Sequence, residues 1–213
     1  MHMKYKICLV LLFLFSFSLC NIGAYVDKKT SNDIENCINQ VCDFCENGVK
    51  VEYKKKGNIN KEIIQLKEKI DNLYPEDDIS ICNNEINVSN DKKSIHALVY
   101  KEKNNISVEI ELINKDKVNK LSILMQELTQ LQDKKAMDIR YFQYVKGKIN
   151  NVEDIKFNIK DAMKIKNIDT LNVHNGYVGK GNLYNGERVN FAISTYNTGT
   201  YLVIGTPIIF ATY

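Results

Sequence analysis

Apolar residues recur along this chain with two different periods, and the period changes at recognisable turn signals. Ile34, Cys37, Ile38, Val41, Cys42 and Cys45 fall at helical spacing, which predicts a helix from about Asn32 to Asn47. Asn32 with Glu35 forms a capping-box pair, and Gly48 is the expected stop. Val49 to Lys56 then alternates as a strand, with Val49, Val51 and Tyr53 on one side and Lys50, Glu52, Lys54 and Lys56 on the other. A second helix is expected over about Asn60 to Leu73, its stripe being Ile63, Leu66, Ile70 and Leu73, with Pro75 beyond it. Three strands follow, at about Ile79 to Val88, Ser94 to Lys101 and Ile106 to Ile113.

The later part of the chain repeats this grammar. It predicts a helix from about Val118 to Leu131, a strand from Met137 to Lys146 and a helix near Val152 to Lys164. Strands then fill about Thr170 to Tyr184, Glu187 to Tyr196 and Thr200 to Thr212, with hairpin signals at Asn185-Gly186 and Asn197-Thr198-Gly199. Lys56-Gly57-Asn58-Ile59-Asn60 recurs as Lys146-Gly147-Lys148-Ile149-Asn150. Ile34, Ile38 and Val41 fall at the same offset on Leu124, Leu128 and Leu131. An internal duplication is therefore expected, with copies at about 31–113 and 121–211. Antiparallel strands with helices on one face make an α+β fold.

The first residues read differently. Lys4 and Lys6 precede a run from Ile7 to Cys20 dominated by apolar residues, and Ile22-Gly23-Ala24 ends on a small side chain. This is the pattern of a secretory signal over 1–24, cleaved before Tyr25, which leaves 25–213 as an exported domain. The run is short for a membrane span, which takes about 20 apolar residues. Lipidation at Cys20 or retention of an uncleaved signal are the alternative routes to membrane attachment. Removing Lys4 and Lys6 leaves 27 basic against 26 acidic residues, a net of +1. So balanced a charge argues against a nucleic-acid or anionic-membrane partner.

Four cysteines then remain: Cys37, Cys42, Cys45 and Cys82. In an exported protein an even number points to disulfides. Cys42-x-x-Cys45 raises thiol redox or zinc chemistry. Their helical spacing instead makes them packed core thiols. All three readings stay open on sequence grounds, and no metal or cofactor is expected.

Strand–helix–three or four strands–helix, written twice, resembles the TATA-box-binding-protein-like fold. The exported chain ending Gly199-Thr200-Tyr201-Leu202-Val203-Ile204-Gly205-Thr206-Pro207-Ile208-Ile209 is similar to the YwmB family, secreted proteins of Gram-positive spore-formers. The likeness spans roughly Val26 to Tyr213. It implies a curved antiparallel sheet with helices on one face and a place at the cell envelope, and it brings no catalytic residues. The Cys37, Cys42 and Cys45 cluster departs from that pattern.

On such a sheet Arg140, Phe142, Tyr144 and Lys146 would lie opposite the core residues, forming an exposed row of cations and rings. The row could serve minor-groove wedging or base stacking. A near-neutral charge, Arg140 and Arg188 as the only arginines, and an extracytoplasmic address argue instead for docking an envelope protein or wall polymer. Gly176-Tyr177-Val178-Gly179-Lys180-Gly181 lacks the helix and the Lys-Ser/Thr ending of a phosphate loop. His96 and His174 are expected on strands with no nucleophile at a recognisable spacing, and Lys54-Lys55-Lys56 as a solvated strand end. The expectation is a non-enzymatic binding or scaffold protein. An envelope enzyme using His96 or His174, or a thiol or zinc protein, would be the alternative.

Overall fold

The computed structural model describes residues 28–149 and 164–210. The expected signal segment, with Cys20 and Ala24, and nearly all of the helix expected over Val152 to Lys164 lie outside them. Among the described residues three helices, α1 (Lys28–Asn39), α2 (Ile59–Leu73) and α3 (Leu121–Leu131), accompany ten strands. The strands are β1 (Cys42–Lys55), β2 (Ile79–Cys82), β3 (Glu85–Ser89), β4 (Lys93–Glu102), β5 (Asn105–Asn114), β6 (Met137–Ile149), β7 (Lys166–Val173), β8 (Gly176–Asn182), β9 (Arg188–Tyr196) and β10 (Gly199–Thr206).

All ten join one antiparallel sheet in the order β2-β3-β4-β5-β1-β6-β10-β9-β8-β7. This corrects the expectation of an α+β, TATA-box-binding-protein-like arrangement of duplicated units with helices on one face. Among the described residues strand outnumbers helix by more than two to one, and a single continuous sheet replaces tandem strand–helix–strands–helix units under a helical layer. The physical cause is the length of β1 and β6. They pair from Cys42 opposite Ile149 to Lys54 opposite Met137, so a ladder runs through the middle of the molecule.

The same ladder explains where α1 ends. The helical stripe extends through Cys42 and Cys45, yet the chain leaves the helix at Asn39 and is in strand by Cys42. Backbone pairing with β6 outweighs the local helical spacing, since one strand contributes a whole row of hydrogen bonds. Two other expected strands are each split. Asn83, at φ 53°, turns β2 into β3, and a turn after Val173 separates β7 from β8. The α2 helix matches expectation closely: Asn58 caps it, its side-chain oxygen accepting from the N–H groups of Asn60 and Lys61.

Alternation gives the sheet two unlike surfaces. Val49, Val51 and Tyr53 of β1 share a side with Ile106, Val108, Ile110 and Leu112 of β5. Ile34, Ile38, Leu66, Ile70, Leu124 and Leu128 from the three helices join these strand residues in one buried core. The opposite surface, named here for Lys50, carries Lys50, Glu52, Glu109, Arg140, Phe142 and Tyr144.

Candidate functional site

The expected row on β6 divides when placed in space. Arg140 keeps more than half of its side chain exposed and pairs with Glu52 at 2.6 Å. Lys146 lies 3.9 Å from Glu46 and 5.8 Å from the centre of the Tyr201 ring. Phe142 and Tyr144, the intended anchors, are buried, at 5 % and 0 % exposure. Phe210, in the segment after β10, stands edge-on to both rings, 4.9 Å from Tyr144 and 6.5 Å from Phe142. The Asn190 amide donates to the Pro207 carbonyl and holds that segment against the sheet. The Tyr144 hydroxyl donates to Glu46 Oε1 at 3.1 Å, and burial pushes its ionisation well above the usual phenol range. These rings are structural, so the row offers no aromatic anchors to a partner.

The cysteines do not assemble either. Among the described residues none of the four forms a disulfide; Cys37 and Cys42 are buried and Cys82 is exposed. Burial pushes the Cys37 thiol up to about 11 and the Cys42 thiol up to about 12, which leaves both protonated and unreactive at neutral pH. Cys82 sits on the edge strand β2, four strands from β1. At about 4.8 Å per strand that is roughly 19 Å, well beyond disulfide reach. Among the described residues no group of three or more His, Cys, Asp and Glu side chains could hold a metal ion. His96 is exposed on β4, 3.7 Å from Glu85, and His174 lies in the turn between β7 and β8, at the far end of the sheet. The glycine-rich segment is strand β8, where a Cβ on Gly176 would strike the Ile193 carbonyl oxygen at 1.8 Å. Close strand packing, not phosphate, accounts for that glycine.

A different place gathers polar groups. Lys55 ends β1 on the same side as Val49, Val51 and Tyr53, and is 7 % exposed. Its ammonium donates to Glu62 Oε2 of α2 and to Asp133 Oδ2 after α3, both at 2.5 Å. The Tyr53 hydroxyl donates to the other Glu62 oxygen at 3.3 Å. Burial works against the Lys55 charge, but the bonds to Asp133 and Glu62 outweigh it and its pKa rises. At Asp133 burial is likewise overcome, by bonds from Lys55 and the Lys135 N–H, and the carboxyl is held below its usual value. Lys69 completes the set by donating to the Leu131 and Gln132 carbonyls at 2.7 and 2.9 Å, tying α2 to the end of α3.

Beside this set a cleft of about 760 Å³ opens between α2, α3 and the loop after α3. Gln65, Asn72, Gln130 and Thr129 present exposed amides and a hydroxyl to it. Exposed Lys56, Lys61, Lys134 and Lys135 stand around it. Reading Lys54-Lys55-Lys56 as a solvated strand end missed this site. The signal was present in the alternation: continuing from Val49, Val51 and Tyr53, the next inward position is Lys55.

No protein-family model matches this chain, and no curated protein matches it. Among the described residues no helix is long and apolar enough to cross a membrane.

Proposed function

We propose that this chain is an exported, non-enzymatic binding or scaffold protein of the cell envelope, and that it holds its ligand in the cleft between α2 and α3. The N-terminal signal pattern supports the address. The observation that carries the binding reading is the cleft itself. It has the size of a ligand site, and its walls are exposed amides and ammonium groups around an ion set that is already neutralised. Fixed by Lys55 and Lys69, the walls come from elements distant in sequence and are tied to one another by hydrogen bonds, so little ordering cost falls on binding.

The test is co-sedimentation of the chain lacking residues 1–24 with envelope fractions. Retention is expected to saturate. Gln130→Trp, which fills the cleft without changing charge, should abolish it, whereas Arg140→Ala on the opposite surface should leave it intact. Equal retention of the plugged variant would remove the cleft from consideration.

A further inference from the structure

The cleft has two electrostatic layers. The inner one, Lys55 and Lys69 with Glu62 and Asp133, sums to zero and is satisfied by its own hydrogen bonds. Among the described residues the outer ring sets Lys56, Lys61, Lys134 and Lys135 against Glu68 alone. Its surplus of three positive charges exceeds the net +1 of the chain lacking residues 1–24. None of those four ammonium groups has an ion-pair partner among the described residues. They come from the end of β1, the first turn of α2 and the loop after α3, so the ring is a product of folding and not of a lysine run. A one-signed rim over a concave site concentrates field on an anion.

The kind of anion follows from what the walls offer. The N–H groups of Asn60 and Lys61 at the start of α2 are already taken by Asn58, so the lysines, not the helix terminus, supply the charge. Lysine meets phosphate as a point charge and needs no forked geometry, which suits a flexible chain. Among the described residues the lining contains no aromatic side chain, so bases would find nothing there to stack on. The amides of Gln65, Asn72 and Gln130 can instead donate to phosphate oxygens along the chain. We infer that the cleft binds a base-free polyanion of phosphate or phosphodiester groups, with Lys56, Lys61, Lys134 and Lys135 as its counter-charges. This rests on the binding reading above and narrows it to a ligand class.

The probe is short-chain inorganic polyphosphate, titrated calorimetrically into the chain lacking residues 1–24 at several salt concentrations. A single-stranded oligonucleotide and a polyglutamate of equal charge are run alongside. Polyphosphate is expected to bind most tightly. The combined variant Lys56→Gln, Lys61→Gln, Lys134→Gln, Lys135→Gln should weaken it at least about tenfold and flatten the salt dependence by roughly two to three units of log–log slope. An equally discharged control, Lys101→Gln, Lys103→Gln, Lys115→Gln, Lys117→Gln, should keep nearly all of the affinity. Equal loss in the control, or tighter binding of the oligonucleotide or the polyglutamate, overturns the inference. If polyphosphate fails while Gln130→Trp still abolishes envelope retention, the ligand class is wrong and the binding reading stands. If polyphosphate binds in the cleft but no envelope fraction is retained, the reverse holds.

Discussion

The two halves of the Lys50 surface solve one problem in opposite ways. On β1, β4 and β5 the outward residues include charged groups that neutralise one another within and across strands. Lys50 bonds Glu52 at 2.9 Å and Glu109 at 2.7 Å, Lys54 bonds Glu102 at 2.7 Å, and the Tyr100 hydroxyl donates to Glu109. On β6, β9 and β10 the equivalent positions include Phe142, Tyr144, Ala192 and Val203, all buried, and Phe210 stands edge-on to the rings of Phe142 and Tyr144. A charged ladder can face water unaided. An apolar strip cannot, and here the chain's own last residues exclude the water. The contrast shows that this surface is not one docking platform but an ionic half and a roofed half.

Substitutions should therefore act very differently on the two sides. The largest effect is expected at Tyr144, whose ring is fully buried between Phe210 and Gly48. Tyr144→Ala should cost about 3 kcal/mol or more in urea unfolding; a loss near zero would mean that the roofed half contributes nothing to the core. Phe210→Ala removes only the roof. We expect about 1–2 kcal/mol of destabilisation together with new binding of a hydrophobic dye. A stable variant that stays dark to the dye would leave Phe142 and Tyr144 covered by something else.

On the ionic half, Lys50→Met is expected to cost no more than about 1 kcal/mol at low salt, shrinking as salt is raised. A salt-independent loss of Tyr144→Ala size would erase the distinction between the halves. The smallest effect concerns Glu111, opposite His96 and beside Lys50, Glu109 and Glu46. Burial raises its pKa above the usual carboxylate value, only partly offset by Lys50 and His96. The folded state thus holds this proton more tightly than the unfolded one. The resulting stabilisation is present in acid and is lost as pH rises from the ordinary carboxylate value through the raised one. Glu111→Gln should accordingly leave stability in acid unchanged and raise it slightly at neutral pH. Paired unfolding curves at the two pH values would show this, and a variant weaker at neutral pH would reverse the sign. Asp133, held below its usual value, runs the other way, favouring the fold above that value and losing its contribution as the pH falls.

Much of this architecture was legible from local pattern. The alternation from Ile106 to Leu112 became β5, the stripe of Ile63, Leu66 and Ile70 became α2, and Asn185-Gly186 became the turn between β8 and β9, with Gly186 at φ 89°. What failed did so where distant partners intervened. Cys42 and Cys45 carry helical spacing but sit on β1 because β6 pairs with it. Phe142 and Tyr144 alternate outward as expected, yet a segment more than sixty residues later covers them. Lys55 alternates inward, against its own chemistry, because Glu62 and Asp133 wait there.

Outside Cys42–Cys45, local pattern set the periods, and hence the side of the sheet to which each side chain points, because that depends on neighbours along the backbone. Only the tertiary structure decided what lies on each side. The merging of all strands into one sheet, the roof over Tyr144 and the lysine ring above Lys55 all join residues far apart in the chain. Such contacts depend on how the elements close in space, where burial and pairing energies summed over many residues outweigh the preference of any one segment.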